Sequence, residues 1–257
     1  MPTQIRQLFE RDTSVKLSEE QLSAITAAAQ RGFRIDVFET PALAALAANL
    51  DLGTVNKAEA FLSSDLGKRM VAADVAAAEM GQANIDKVMA GEITAPSTPK
   101  RDAIFDKLEH ATHSTESTVE VFLSMGRAVA VGTAIGTGQD RNAVSERAGK
   151  SGEQGRAELE ASMREPMRRF IAYSYRSFSD SDLKHLLTFL ESPAGKRYVT
   201  AYNASMNAGF GAMGERTGEQ VGESLREIAQ AQLDQADLAP PVIGEPGNPQ
   251  TSPQAPH

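Results

Sequence analysis

The chain has 257 residues, 41% of them hydrophobic and 23% charged, which rules out disorder throughout. Its 39 alanines, set against 10 Phe, 4 Tyr and no Trp, favour closely packed helices over sheets. The absence of cysteine excludes disulfides, thiolate metal sites and a cysteine nucleophile. The formal charge of −8 argues against general nucleic-acid binding, which needs a cationic surface.

In chain order, Thr3 caps a short helix with Ile5, Leu8 and Phe9 on one face. Ser18 with Gln21 three residues on forms a capping box, and Leu17 and Leu22 a hydrophobic staple. That helix runs over about 19–31 and stops at Gly32. Thr40-Pro41 reads as an N-cap with proline at the first helical position. A short amphipathic helix over 55–62 breaks at Ser63-Ser64 and leads into a long one from Asp65 to about Ala90. Thr98-Pro99 opens the next, to about Thr112, and Ser114 opens another to Ile135. The stretch 119–138 carries Glu120 and Arg127. It falls short of the about 18 apolar residues a bilayer requires, and a buried core helix is expected.

Residues 136–155 are polar and Gly-rich and read as a flexible loop. A helix over about 156–178 follows, with a kink expected near Pro166. Ser179 or Ser181 caps a short helix with Leu183, Leu186, Leu187 and Leu190 facing inward. Ser192-Pro193 starts the last long helix, to about Leu233, with a bend or close helix contact expected at its glycines. The six prolines in 239–257 predict a disordered tail. No strand pattern occurs. The chain opens Met1-Pro2-Thr3-Gln4 with no export signal, which fits either a cytoplasmic protein or an exported one whose leader has been removed.

Two segments match at an offset of 128: residues 61–74 and 189–202 share eight of 14 positions around a Phe-Leu-x-Ser-x-x-Gly-Lys-Arg core. A looser match joins 5–25 to 104–125. The pattern predicts an all-α helical bundle built from two related halves by internal duplication. The first repeat is placed at 1–92 and the second, with its Gly-rich loop at 136–155, at 97–238; the two pack as one compact unit before the tail at 239–257. In each motif the Phe-Leu pair anchors the short helix, the serine caps the next, and the glycine allows close helix approach. Lys68, Arg69, Lys196 and Arg197 are the candidate anion or partner site, beside two positive helix ends.

The stretch 181–198, SDLKHLLTFLESPAGKRY, resembles the signature of a family of exported bacterial proteins, domain of unknown function number 2059. The family pattern has an acidic helix start, then Phe-Tyr, any residue, Ser-Pro, any residue, Gly-Lys, with Leu190 here in place of the tyrosine. The resemblance covers about 164–208, and the first copy lacks the Ser-Pro. It implies an all-helical fold, a periplasmic or secreted location, and no catalytic residues.

Chemistry-bearing motifs are weak. Asp106, His110 and His113 have spacing for a metal, but no fourth ligand is evident, and solvated histidines near a helix C-terminus are the expectation. Ala148-Gly149-Lys150-Ser151 resembles the end of a phosphate loop, with Val144 where glycine is required. Arg164, Arg168 and Arg169 form a small basic cluster beside Glu160 and Glu165. No cofactor is expected. The reading is a non-enzymatic helical protein of the bacterial envelope that binds a partner protein or an apolar small molecule. The ligand would sit in a seam lined by Met206, Phe210 and Met213. The alternatives are a hydrolase assembled around His110, His113 or His185, and a module that dimerises through the last helix.

Overall fold

The structure, a computed structural model, describes residues 17–238, and every regular element among them is a helix. The expected helix at Thr3 and the proline-rich tail lie outside the described residues. The helices are α1 (Glu19–Gly32), α2 (Ile35–Asn49), α3 (Leu52–Leu62), α4 (Asp65–Glu79), α5 (Gln82–Ala90), α6 (Pro99–Thr112), α7 (Ser114–Thr137), α8 (Arg141–Ser174), α9 (Asp180–Glu191) and α10 (Pro193–Leu238).

Several starts follow the local chemistry read from the sequence. Ser18 and Gln21 form the capping box of α1. Thr98 accepts from the Arg101 amide with Pro99 in the first turn of α6. Other boundaries differ for identifiable reasons. Pro41 lies inside α2 rather than opening it, and the added first turns are held by Phe38, whose ring packs edge-on against Phe210 at 5.1 Å. The expected single helix from 65 to 90 divides at Gly81, which takes φ +82°. His113, also in the left-handed region at φ 51°, joins α6 to α7.

The expected loop at 136–155 is helical. Only a tight link with Gly138 at φ +77° separates α7 from α8. Asp140 caps α8 by accepting from the Ala143 amide at 2.7 Å, and Lys150 reaches Glu146 one turn back at 2.6 Å. Leu123 of α7 covers Gly152. Capping, good helix formers and packing outweigh three scattered glycines. α8 also continues through Pro166.

The 46-residue α10 is the spine. α7 runs parallel to it at very close approach: a Cβ on Gly132 would strike the Glu215 carbonyl, and one on Gly218 the Val129 carbonyl. α1 and α2 run antiparallel along another side, with Gly32 against Thr217 and Phe38 against Gly209. α8 folds back along α6 and α7. The main core joins Phe105 and Leu108 of α6, Ile171 of α8, Leu183, Leu186 and Leu190 of α9, and Val199 of α10. α7 is less buried than the sequence suggested. Its 24 residues make it long and apolar enough, by length and composition, to cross a membrane, and only 28% of that apolar window is buried. Its glycine face meets α10, while Phe122 is 62% exposed.

Candidate functional site

The site is built around the repeated motif. Ser64 (φ −67°, ψ 163°) and Ser192 (φ −68°, ψ 157°) adopt the same geometry, accepting from the Gly67 amide at 3.1 Å and the Gly195 amide at 3.0 Å. Phe61 and Phe189, the same position in the two copies, stack at 4.0 Å with ring planes 4° apart. A residue that touches its own counterpart sits where a twofold axis would relate the copies. The flanking contacts correspond at their arginines, while the carboxylates they reach lie three residues apart in the repeat register. Arg69 of the first copy reaches Asp182 at the start of α9 at 2.8 Å, and Arg197 of the second reaches Asp51 at the start of α3 at 3.1 Å.

Both candidate arginines are thus engaged by carboxylates, while Lys68 and Lys196 are exposed. Arg69 and the Ser179 hydroxyl and amide hold the Asp182 carboxyl down at about 2, against an ordinary 3.8. A lowered folded-state value stabilises the fold above about pH 4, and that contribution is lost as pH falls toward 2. Asp182→Asn is therefore expected to lower the urea midpoint at neutral pH and to converge on wild type as pH falls through about 2. An equal deficit at both pH values would refute the pairing.

Beside the motif, α4 and the first half of α10, which occupy the same place in the two copies, diverge into a cleft of about 700 Å³. α8 and the α6–α7 junction close its other sides. Its walls are largely apolar. Val71, Val75 and Tyr202 remain 45%, 50% and 48% exposed because their free faces look into it. Ser114, Ser117 and Thr118 bring hydroxyls to one side.

One carboxylate stands among these groups. Asp74 of α4 accepts from the Tyr175 hydroxyl of α8 at 2.8 Å. The surrounding protein pushes its carboxyl above the ordinary 3.8, against the lowering effect of that phenol, although water reaches it through the cleft mouth. Burial, joined by the charge of Asp74, also raises the Tyr175, Tyr198 and Tyr202 phenols, so all three stay protonated at neutral pH. Tyr198 and Tyr202 lie one turn apart with ring centroids at 6.3 Å.

Of the seam candidates, Met206 and Phe210 line this cleft, and Met213 is buried at 4% exposure behind it. The histidines among the described residues are elsewhere. His110 and His113 line a second, more polar groove of about 750 Å³ together with Asp106, Glu191 and Lys196. His185 is exposed on α9. No group of three or more His, Asp or Glu placed to hold a metal ion occurs among the described residues. Residues 148–151 are an interior turn of α8, without the strand-to-helix loop that cradles phosphate. Arg164 pairs with Glu109 and Glu116, Arg168 with Glu165 and Asp102, and Arg169 with Glu165, which neutralises that basic cluster.

The sequence does not mark Asp74 or Tyr175 as site residues, and Tyr198 and Tyr202 read from it only as part of the apolar line of the last helix. The signal for Asp74 was available: it is the one charge in the apolar run 70–78, and the repeat register sets it opposite Tyr202.

A family of bacterial proteins described as uncharacterized protein conserved in bacteria, domain of unknown function 2059, matches the chain twice, over residues 36–93 and 165–224. The resemblance first visible at 181–198 thus extends over 165–224 and is joined by a second match over 36–93, consistent with duplication. No curated protein and no solved structure matches the chain.

Proposed function

Because the two segments matched to that bacterial family meet across the cleft, we propose that the chain is a non-enzymatic binding protein of the bacterial envelope. It takes an apolar small molecule between its two copies. The observation that carries this reading is the cleft itself. Its about 700 Å³ falls within the range of small-molecule sites, and its mostly apolar walls are punctuated by a few convergent polar groups. The envelope setting, periplasmic or secreted, rests on the likeness to exported proteins.

The test uses a neutral environment-sensitive dye, N-phenyl-1-naphthylamine, with the full chain. Wild type is expected to bind it and brighten it. Ala78→Trp and Val75→Trp, which place an indole in the cleft from exposed positions on α4, are expected to abolish the signal while helical circular dichroism is retained. A folded wild type that leaves the dye dark, or two folded variants that brighten it undiminished, would overturn the reading.

A further inference from the structure

The charge inventory of the cleft narrows the class of ligand. Among the residues that line it, Asp74 is the one charged side chain, and no lysine, arginine or histidine is present. Elsewhere on this surface carboxylates are routinely matched: Asp51, Asp182, Glu116 and Glu165 each face an arginine. Asp74 instead has a phenol as its partner, and the two further phenols within reach of its field belong to Tyr198 and Tyr202. A carboxylate flanked by aromatic rings at one place in an otherwise apolar cleft is the arrangement that recognises an organic cation: the charge is met by the carboxylate and the ring faces, and the hydrocarbon by the walls. A fatty acid would bring a second negative charge toward Asp74 with no cation to receive it.

We infer that the cleft selects amphiphilic cations, molecules with an ammonium or quaternary ammonium head and an alkyl or aromatic body, with Asp74 as the head-group acceptor and Tyr175, Tyr198 and Tyr202 around it. The inference rests on the binding reading above and narrows its ligand from an apolar molecule to one whose apolar body carries a cationic head. Tyr175 acts as a positioning residue. Its hydroxyl holds one Asp74 oxygen at 2.8 Å, which leaves the other free for the incoming head. The hydroxyls of Ser114, Ser117 and Thr118 take no part in the choice of sign, since a hydroxyl can face either charge.

The pH behaviour follows from the same groups. Asp74 of α4 is faced by Tyr175 of α8 and by Tyr198 and Tyr202 of α10, whose phenols stay protonated through neutrality. A quaternary ammonium does not titrate. Its binding therefore strengthens as pH rises through the Asp74 value, which burial holds above the ordinary 3.8.

The experiment compares three probes of equal chain length, decyltrimethylammonium, decanol and decanoate, each kept below its aggregation threshold and titrated against the bound neutral dye. Wild type at pH 7 is expected to bind the ammonium about tenfold more tightly than the carboxylate, with the alcohol between. Asp74→Asn is expected to bring the ammonium and the carboxylate within about threefold of each other and to leave the alcohol unchanged. Tyr175→Phe is expected to weaken the ammonium less than Asp74→Asn does. Equal affinities for the three probes in wild type, or a preference for the ammonium that survives Asp74→Asn, would overturn the charge selection while the cleft remains a binding site. Failure of every probe, decanol and the dye included, would overturn both readings.

Discussion

Gly195→Ala is expected to destabilise the protein by about 3 kcal/mol or more, and Gly67→Ala by a similar amount. The added Cβ at 195 would collide with the Phe189 carbonyl and the Leu190 backbone, and at 67 with the Phe61 carbonyl and the Leu62 backbone. In both places the obstacle is main chain at the end of the preceding short helix, so no flexible side chain can swing aside. The sign is informative, because alanine in an open helix would gain about 1 kcal/mol over glycine. Urea unfolding of the two variants checks this. A neutral or stabilising result at either position would mean that the hairpin is more open than described.

Phe105→Ala is expected to cost about 3–5 kcal/mol, enough to unfold a marginal domain. Phe105 is 0% exposed, sits in the cluster that joins α6, α8, α9 and α10, and has the Arg101 guanidinium over its ring at 5.2 Å. Phe105→Leu keeps most of the volume and is expected to cost about 1.5 kcal/mol or less. Thermal and urea transitions of the pair separate loss of packing from loss of fold. Comparable small effects for both would show that the cluster collapses around the gap.

Helix existence and the repeated hairpin were legible because their signals are local. A serine that accepts from an amide three residues on, or a proline in a first turn, acts within one turn of chain, and Ser18, Ser64, Thr98 and Ser192 behave as such chemistry requires. Residues 136–155 read as a loop because of their glycines and charge, whereas the Asp140 cap acts locally and Leu123, lying over Gly152, comes from another helix. Pro41 was misread for the same reason, since Phe210 lies far along the chain from Phe38. The seam was legible as a place, with Met206 and Phe210 on its wall, but its chemistry was not. A single aspartate on an alanine-rich helix has the look of a solvent-facing residue until α8 and α10 are folded around it.

The crossed contacts of the motif carry a consequence for how this chain arose. A single-copy ancestor with the same phenylalanine and arginine could have made the Phe61–Phe189 and Arg69–Asp182 types of contact only with a second molecule of itself. Such a homodimer would have presented identical groups from both subunits to its central cavity. Two copies within one polypeptide are free of that constraint, and positions 74 and 202 differ: aspartate on one side, tyrosine on the other. A cavity with a carboxylate on one wall and a phenol at the matching place on the other has a polarity that symmetric subunits could not have had.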